Sequence, residues 1–234
     1  MPPPGPAWRS TLSRVSDLQT ILIDQTTLRD QITLRDQTTL KDTGTDHLSD
    51  GLIDGIHRLI VDGVERGEAL GLGLPPTRAD YRSHITQLLA DRVAGNAGLV
   101  AVTRDGIIVG TAQWRRSGYA TRRTLAEIDR VMVSPQARGA GIGRVLVEAL
   151  VADAQRHGVE VVTLEVRGNN HGAIALYESC AFTRCGLIPN AVANGSARFD
   201  IVLMARELSR PAGLQLIGSA PVGAGSSTRH NTLT

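Results

Sequence analysis

A glycine-rich segment, residues 134–144, has the residue types that bind a phosphate group. It reads Ser-Pro-Gln-Ala-Arg-Gly-Ala-Gly-Ile-Gly-Arg, between an apolar run and a stretch whose apolar residues recur at helical spacing. Glycines let the backbone approach a ligand closely, and the free N–H groups and positive dipole end of a helix N-terminus favour an anion. This order of strand, turn and helix predicts a phosphate cradle, to which Arg138 and Arg144 add positive charge.

The residues around the glycines distinguish between known phosphate-binding loops. A P-loop has Lys and then Ser or Thr after its last glycine, whereas Arg-Val follows Gly143 here. A dinucleotide-binding fingerprint has an acidic residue about 20 positions further on, and Glu165 lies near that spacing, so spacing alone does not exclude it. The string Arg138-x-x-Gly141-x-Gly143 resembles instead the Arg/Gln-x-x-Gly-x-Gly/Ala loop of the GNAT superfamily of acyl-CoA N-acyltransferases.

The resemblance extends to both sides of the loop. Residues 126–133 (AEIDRVMV) are similar to the family's central strand, and residues 164–182 are similar to its last core motif, with Leu-Glu-Val-Arg, Asn170, Tyr177 and Phe182 in register. Residues 122–208 are also similar to the small-molecule acetyltransferases of the tabtoxin-resistance type. The resemblance implies an α/β GNAT fold, with a mixed, mostly antiparallel sheet of about six to seven strands flanked by about four helices.

In the family, such a site transfers an acetyl group directly from acetyl-CoA to an amine within one ternary complex. A protonated alkyl amine is almost wholly non-nucleophilic at neutral pH, so a carboxylate must help to remove its proton. Glu127 occupies the position at which many family members carry that base. Asp129, on the same face of the strand, and Glu165, on the neighbouring strand, are further candidates among which the sequence does not choose. Tyr177 occupies the family's position for the acid that protonates the departing thiolate.

The resemblance also implies the residues that bind acetyl-CoA. Main-chain groups at the end of the central strand would pair with the pantetheine arm and stabilise negative charge on the acetyl oxygen, and the loop amides would hold the pyrophosphate. The implied coenzyme-binding residues are Val131, Met132, Val133, Arg138, Gly139, Ala140, Gly141, Ile142, Gly143, Arg144, Asn170 and Tyr177. One position departs from the family, because Ala181 stands before Phe182 where a glycine with positive φ is usual. No cluster has metal-ligand spacing, so no metal is predicted.

Apolar periodicity predicts the elements that must position these residues. Two helices are predicted on the N-terminal side of the site, and Thr77 is the predicted N-cap of the second. Asp105-Gly106 predicts a hairpin between two strands. Two closing strands follow the site, with a turn-rich loop between them at residues 189–196, the neighbourhood that shapes acceptor specificity in the family. The predicted ranges are 46–66 and 77–95 for the helices, and 99–102, 107–114, 159–166, 184–188 and 198–207 for the strands.

The two ends of the chain differ from its middle in composition and in sequence pattern. From Asp24 the hexad Asp-Gln-Thr/Ile-Thr-Leu-Arg/Lys occurs three times, and a period of six matches neither a helical face nor a heptad. Three hexads make about one coil of a β-helix, too few to bury a shared core. We therefore predict a disordered extension at residues 1–45, an acetyltransferase domain at 46–208 and a disordered tail at 209–234.

Composition limits the class of partner. The net charge of +2 gives no reason to expect a nucleic acid, no apolar run approaches the roughly 18 residues of a membrane span, and two cysteines make no disulfide framework. The first residues lack the features of a signal peptide, so a cytoplasmic protein is expected. The expected acceptor is a small-molecule amine. The alternatives are a protein N-terminus or lysine, since residues 164–170 also resemble ribosomal-protein alanine acetyltransferases, and a non-catalytic acetyl-CoA sensor. Family members often form homodimers, and no segment here specifies such a contact.

Overall fold

The computed structural model describes residues 18–22, 46–68 and 71–208. Within these ranges the chain forms four α-helices and seven strands, with short 3₁₀ turns at Ala120–Arg122 and Pro135–Ala137. In chain order the helices and strands are β1 (Leu18–Leu22), α1 (Asp46–Glu65), α2 (Arg78–Val93), β2 (Ala97–Arg104), β3 (Ile107–Arg116), β4 (Leu125–Val133), α3 (Ile142–Arg156), β5 (Val161–Arg167), α4 (His171–Ser179), β6 (Thr183–Asn194) and β7 (Ala197–Glu207).

The strands form one mixed sheet in the order β1-β2-β3-β4-β5-β7-β6. Every neighbouring pair is antiparallel except β4 and β5, which are parallel. A parallel pair needs a crossover connection, and α3 supplies it. The predicted α/β architecture, mixed and mostly antiparallel, is confirmed.

Helices cover both faces of the sheet because each carries an apolar stripe. On one face α1 and α2 bury residues that include Leu52, Ile56 and Ile85 against β2. On the other face α3 and α4 pack residues that include Leu146 and Ile174 against the central strands. None of the described helices is long and apolar enough to cross a membrane.

Local signals in the sequence place several boundaries. Thr77 caps α2, since its hydroxyl oxygen accepts a hydrogen bond from the Asp80 backbone N–H. Asp105 and Gly106 have φ values of 52° and 73°, the two positive values that a type I′ turn requires, and they join β2 to β3 as predicted. Asn170 is the N-cap of α4, since its side chain accepts a hydrogen bond from the Ala173 backbone N–H.

The prediction of a loop at residues 189–196 is wrong for most of that segment. Strand β6 continues to Asn194, so only the two residues Gly195 and Ser196 connect it to β7. Turn-forming residues misled the prediction, because β6 is an edge strand whose register shifts between Ile188 and Val192. Proline is tolerated at an edge or a bulge, and Asn190, with φ of 55°, adopts a left-handed conformation inside this irregularity.

The N-terminal region contributes one strand that the sequence did not predict. Residues Leu18–Leu22 pair antiparallel with Val100–Arg104 at the other edge of the sheet. The hexad repeat and the C-terminal tail lie outside the described residues, so the proposed division into three regions stays a prediction.

A buried carboxylate joins the two helical layers near the C-terminal end of α3. Asp153 is fully buried and accepts hydrogen bonds from Trp114 Nε1 at 2.8 Å, Arg92 Nη1 at 2.9 Å and Arg156 Nη2 at 3.1 Å. Arg92 belongs to the α2 layer and Asp153 to the α3 layer. Gly98 makes room for this contact, because a Cβ there would lie 2.2 Å from Asp153 Oδ2 and 2.2 Å from Trp114 Nε1.

Candidate active site

The central strand β4 separates from its parallel neighbour about a third of the way along its length. The two strands pair only from Leu125–Glu127 to Val161–Thr163, and the rest of β4 has no partner on that side within the described sheet. Arg130 has a φ of 49°, and the register with β3 shifts at the same level. This bulge and the divergence leave main-chain groups of residues 128–133 available to a ligand.

The glycine-rich turn forms the predicted link between β4 and α3. Gly139 and Gly141 have φ values of 78° and 76°, which side-chain-bearing residues rarely adopt, and Gly141 is the N-cap of α3. The first turn of a helix leaves backbone N–H groups without intrahelical acceptors. The turn and the helix N-terminus together form a site suited to an anion.

A groove of about 730 Å³ runs along this turn and the open side of β4. All but one of the residues expected to bind the coenzyme line it: Val131, Met132, Val133, Arg138, Gly139, Gly141, Ile142, Gly143, Arg144, Asn170 and Tyr177. The exception is Ala140, which packs against the core. Glycine amides, two arginines and free strand edges fit a phosphate-bearing molecule with an amide-containing arm.

The C-terminal end of α1 closes one side of the groove. Residues 66–68 line it, and Glu68 Oε1 lies 2.6 Å from Arg138 Nη2. Arg138 Nε also donates a hydrogen bond to the Val133 carbonyl oxygen at 3.2 Å. Sequence reasoning missed this segment, because no local motif reports a contact between residues 70 positions apart.

A second cavity, of about 420 Å³, adjoins the groove and contains all three candidate bases, Glu127, Asp129 and Glu165. Its rim includes Leu72, from the loop between α1 and α2, and Val192 of β6. The groove and the cavity share five lining residues: Val131, Arg167, Asn170, Ala173 and Tyr177. A molecule in the groove and one in the cavity would therefore meet beside Tyr177.

Burial changes the acidity of the carboxyl groups in the cavity. Burial raises the pKa of the Glu127 carboxyl, and the nearby Glu165 and Asp129 carboxylates raise it further. Burial also raises the pKa of Asp129, while Gln113, Arg130 and Arg115 act in the opposite direction. A carboxylate with a raised pKa is a stronger base, and its acidic form is retained to a higher pH. No group of three or more His, Cys, Asp or Glu among the described residues could hold a metal ion.

Tyr177 lies where the helix α4 meets both spaces. The residue is 8% exposed, and its ring packs edge-on against Phe182 with 6.0 Å between centroids. Burial raises the pKa of its hydroxyl to about 12, so this hydroxyl keeps its proton at neutral pH. Asn170 accepts a hydrogen bond from Ala173 N through Oδ1, which leaves its Nδ2 hydrogens to offer to a ligand.

Comparison with known proteins identifies similar enzymes. Residues 68–182 match the model of the acetyltransferase (GNAT) family. The chain is 36% identical over 84 residues to the ribosomal protein bS18-alanine N-acetyltransferase of Escherichia coli K12, an alignment that covers 36% of this chain and 57% of that enzyme. It is 32% identical over 102 residues to the Salmonella typhimurium LT2 counterpart, covering 42% of this chain and 69% of that enzyme.

A small-molecule enzyme is equally similar in sequence. The chain is 36% identical over 104 residues to the streptothricin acetyltransferase of Streptomyces lavendulae, covering 44% of this chain and 53% of that protein. The chain therefore spans roughly half to two thirds of the length of these curated relatives. The fold matches the phosphinothricin acetyltransferase of Sinorhizobium meliloti, solved with acetyl-CoA, with a TM-score of 0.64 and 22% identity, covering 79% of this chain and 95% of that one.

Proposed function

The chain belongs to the GNAT acetyltransferase family, and from this premise we propose that it transfers the acetyl group of acetyl-CoA directly to a primary amine of a small molecule. One observation carries the proposal: the phosphate-binding groove and the acidic cavity share Tyr177 and Asn170 in their walls. The groove alone would bind a coenzyme, and the cavity alone would bind an amine. Their junction brings a thioester and an amine into contact, as direct transfer requires.

Each side chain takes a role that its environment supports. Residues 138–144 hold the pyrophosphate, and Asn170 and the open edge of β4 hold the pantetheine arm. The main-chain groups at Val131 and Val133 stabilise negative charge on the acetyl oxygen. Glu127, assisted by the adjacent Glu165, accepts the proton of the amine, directly or through water. Tyr177 donates its proton to the departing thiolate, because its hydroxyl is protonated and lines the groove.

The size of the cavity favours a small acceptor. A volume of about 420 Å³ lies within the range of small-molecule sites, and Leu72 and Val192 stand on its rim. A second acceptor, the N-terminal alanine of a ribosomal protein, is favoured by the identity of 32–36% with enzymes named for that substrate. A protein terminus would have to enter the same cavity between these rim residues.

The test combines coenzyme binding with turnover. Thermal unfolding of the purified chain is measured alone, with CoA and with acetyl-CoA, and thiol release is then followed with a panel of small primary amines and with a peptide that begins with alanine. Acetyl-CoA at about 100 times its dissociation constant should add about 2.7 kcal/mol of stability.

The two readouts separate the alternatives. A thermal shift with thiol release from a small amine supports the proposal, whereas release with the peptide alone assigns the protein acceptor. A shift without any release would favour a non-catalytic sensor. No shift at all would contradict the assignment of the groove to the coenzyme.

A further inference from the structure

A row of polar side chains leads from α2, through β3, to the acidic cavity beside β4. His84 on α2 lies with Nε2 2.9 Å from Gln113 Oε1 on β3. Gln113 is 2% exposed and is the direct cross-strand partner of Asp129 on β4. Directly opposite residues on one face of an antiparallel pair bring their side chains together. The row His84, Gln113, Asp129 therefore ends in the wall of the cavity.

The contact with Gln113 Oε1 indicates the tautomer of His84. An amide oxygen only accepts hydrogen bonds, so the Nε2 of His84 carries a hydrogen and donates it. Burial lowers the pKa of His84, which keeps the ring neutral at neutral pH. With its oxygen engaged, Gln113 directs its Nε2 donors to the Asp129 side.

This row contains unsatisfied hydrogen-bonding atoms. Gln113 Nε2 and Asp129 Oδ1 are both buried, and neither has a hydrogen-bond partner among the described residues. Gln113 is nevertheless close enough to lower the pKa of the Asp129 carboxyl. Buried polar atoms without partners are rare and costly, and hydrogen bonds at active sites are often poorly aligned until a ligand is bound. A ligand that draws the carboxylate into position would satisfy both atoms.

We propose that the Asp129 carboxylate binds the ammonium group of the acceptor, and that Gln113 and His84 are positioning residues that orient this carboxylate. The inference rests on the proposed amine acetylation and defines its substrate class. The acceptor is an amine that is cationic in solution; Asp129 binds it as the ammonium ion, and Glu127 then accepts its proton.

The charges around Asp129 are consistent with this role. Burial raises the pKa of the Asp129 carboxyl, and Gln113, Arg130 on its own strand and Arg115 on β3 oppose that shift. Tyr81 on α2 lies within electrostatic reach of Asp129, and burial raises the pKa of its hydroxyl so that it stays neutral. Glu127 is close enough to interact with Asp129. Asp129 and Glu127 thus place two carboxyl groups in one cavity, an arrangement that attracts a cation.

The test compares Gln113→Leu, His84→Phe and Asp129→Asn with wild type. Thr111→Val is the matched control, because Thr111 is equally buried on β3 and its hydroxyl donates to the Val100 carbonyl instead. One readout is the titration of the Asp129 carboxyl, followed by ¹³C NMR with labelled aspartate in wild type, Gln113→Leu, His84→Phe and Thr111→Val. The other is KM for the best amine of the panel and KM for acetyl-CoA in every variant.

We expect the Asp129 titration to move to higher pH in Gln113→Leu, because the variant loses a donor that stabilises the carboxylate. KM for the amine should rise about tenfold or more in Gln113→Leu and Asp129→Asn, the scale of one hydrogen bond to a charged group, while KM for acetyl-CoA stays within about twofold. His84→Phe should give smaller changes in the same direction. Thr111→Val should behave as wild type.

Two outcomes would overturn the inference. An Asp129 titration that is the same in Gln113→Leu and wild type removes the positioning role, and an unchanged amine KM in Asp129→Asn removes the binding role. If Gln113→Leu does not fold, the Asp129 titration in His84→Phe tests the positioning role, and the amine KM of Asp129→Asn tests the binding role. If wild type binds acetyl-CoA but acetylates no amine, the proposed function and this acceptor-binding role fail together, and the titration still decides whether Gln113 orients Asp129.

Discussion

Burial raises the pKa of both the Glu127 carboxyl and the Tyr177 hydroxyl, with different consequences for proton transfer. The raised pKa makes the carboxylate of Glu127 a stronger base. The hydroxyl of Tyr177, whose pKa is raised to about 12, stays protonated at neutral pH and can act as an acid. The two residues line one cavity with complementary properties.

Tyr177→Phe should lower kcat by about 10²-fold or more, since general acid catalysis contributes 10²–10⁴-fold. Affinity for acetyl-CoA should change less than turnover, because the ring and its contact with Phe182 remain. Steady-state kinetics with isothermal titration of acetyl-CoA measure both quantities. Tyr119→Phe is the control, as Tyr119 is 70% exposed. A kcat equal to that of wild type would remove Tyr177 from the reaction.

Glu127→Gln should abolish the acidic limb of the pH profile of kcat/KM that belongs to this carboxyl. In wild type the rate should rise with pH through the raised pKa of Glu127, because only the ionised form accepts a proton. The glutamine variant cannot accept it, and kcat should fall by about 10²-fold or more. Glu178→Gln, at an exposed carboxylate paired with Arg184, is the control. An unaltered acidic limb in Glu127→Gln would assign the base to another residue.

Local motifs predicted the residues that line the glycine-rich groove, and long-range packing determined the ones they missed. Arg138, Gly141 and Tyr177 belong to short strings whose spacing is itself the signal. Glu68 and Gln113 reach the site only because α1 ends beside the turn and because β3 pairs in one register with β4. No property of the sequence near either residue reports such a contact.

Among the elements, the turn after α4 shows how a sequence departure becomes local strain. Ala181 has a φ of 61°, in the left-handed region that a glycine adopts without cost. The sequence marked this position as a departure, because the family usually has a glycine with positive φ there. The turn keeps its conformation because the backbone N–H groups of Ala181 and Phe182 bond to carbonyl groups of α4.

Ala181→Gly should raise the free energy of unfolding by about 0.5–1 kcal/mol, the balance of the left-handed strain relieved and the greater freedom of glycine in the unfolded chain. Denaturant unfolding measures the change. Ala152→Gly is the matched control, since Ala152 is exposed within α3 and the same substitution there should cost about 1 kcal/mol. A loss of stability in both variants would contradict the strain at Ala181.

The arginine-rich segment at residues 115–123 is a second feature whose contacts only the structure shows. The segment contains four arginines, which would suit either a solvated loop or a basic rim beside an anionic or acidic ligand. Arg116 instead donates to the carbonyl groups of Gly95 and His157, near the C-terminal end of α3. None of these residues lines the groove or the acidic cavity. The number of arginines in the segment therefore does not predict which part of the fold they contact.

At the scale of the whole molecule, the Asp153 network holds the two helical layers together at the end of α3 remote from the groove. Arg92, Trp114 and Arg156 share one buried carboxylate. The mixed, mostly antiparallel sheet and its flanking helices were predictable in outline from hydrophobic periodicity and family resemblance, although strand β1 was not. This network was not, because Asp153 lies within an ordinary helical pattern in which an aspartate reads as exposed.

Asp153→Ala should lower the free energy of unfolding by about 3–5 kcal/mol, because Arg92 would be left largely buried without its partner. Denaturant unfolding at constant pH measures the loss. Asp62→Ala is the control, since Asp62 is exposed in its ion pair with Arg66 and should cost less than about 1 kcal/mol. Equal losses of unfolding free energy in the two variants would show that the buried pair of Asp153 and Arg92 stabilises the fold no more than the exposed one.

The contacts around Gly98 limit the substitutions that its codon can tolerate. A Cβ at this position would overlap two polar atoms that are held in place by a buried network, and neither is the free end of a flexible side chain. Every missense change of codon 98 adds at least that atom. In a pool of randomised genes selected for folded protein, this codon should therefore return glycine, while the surface codons around it drift.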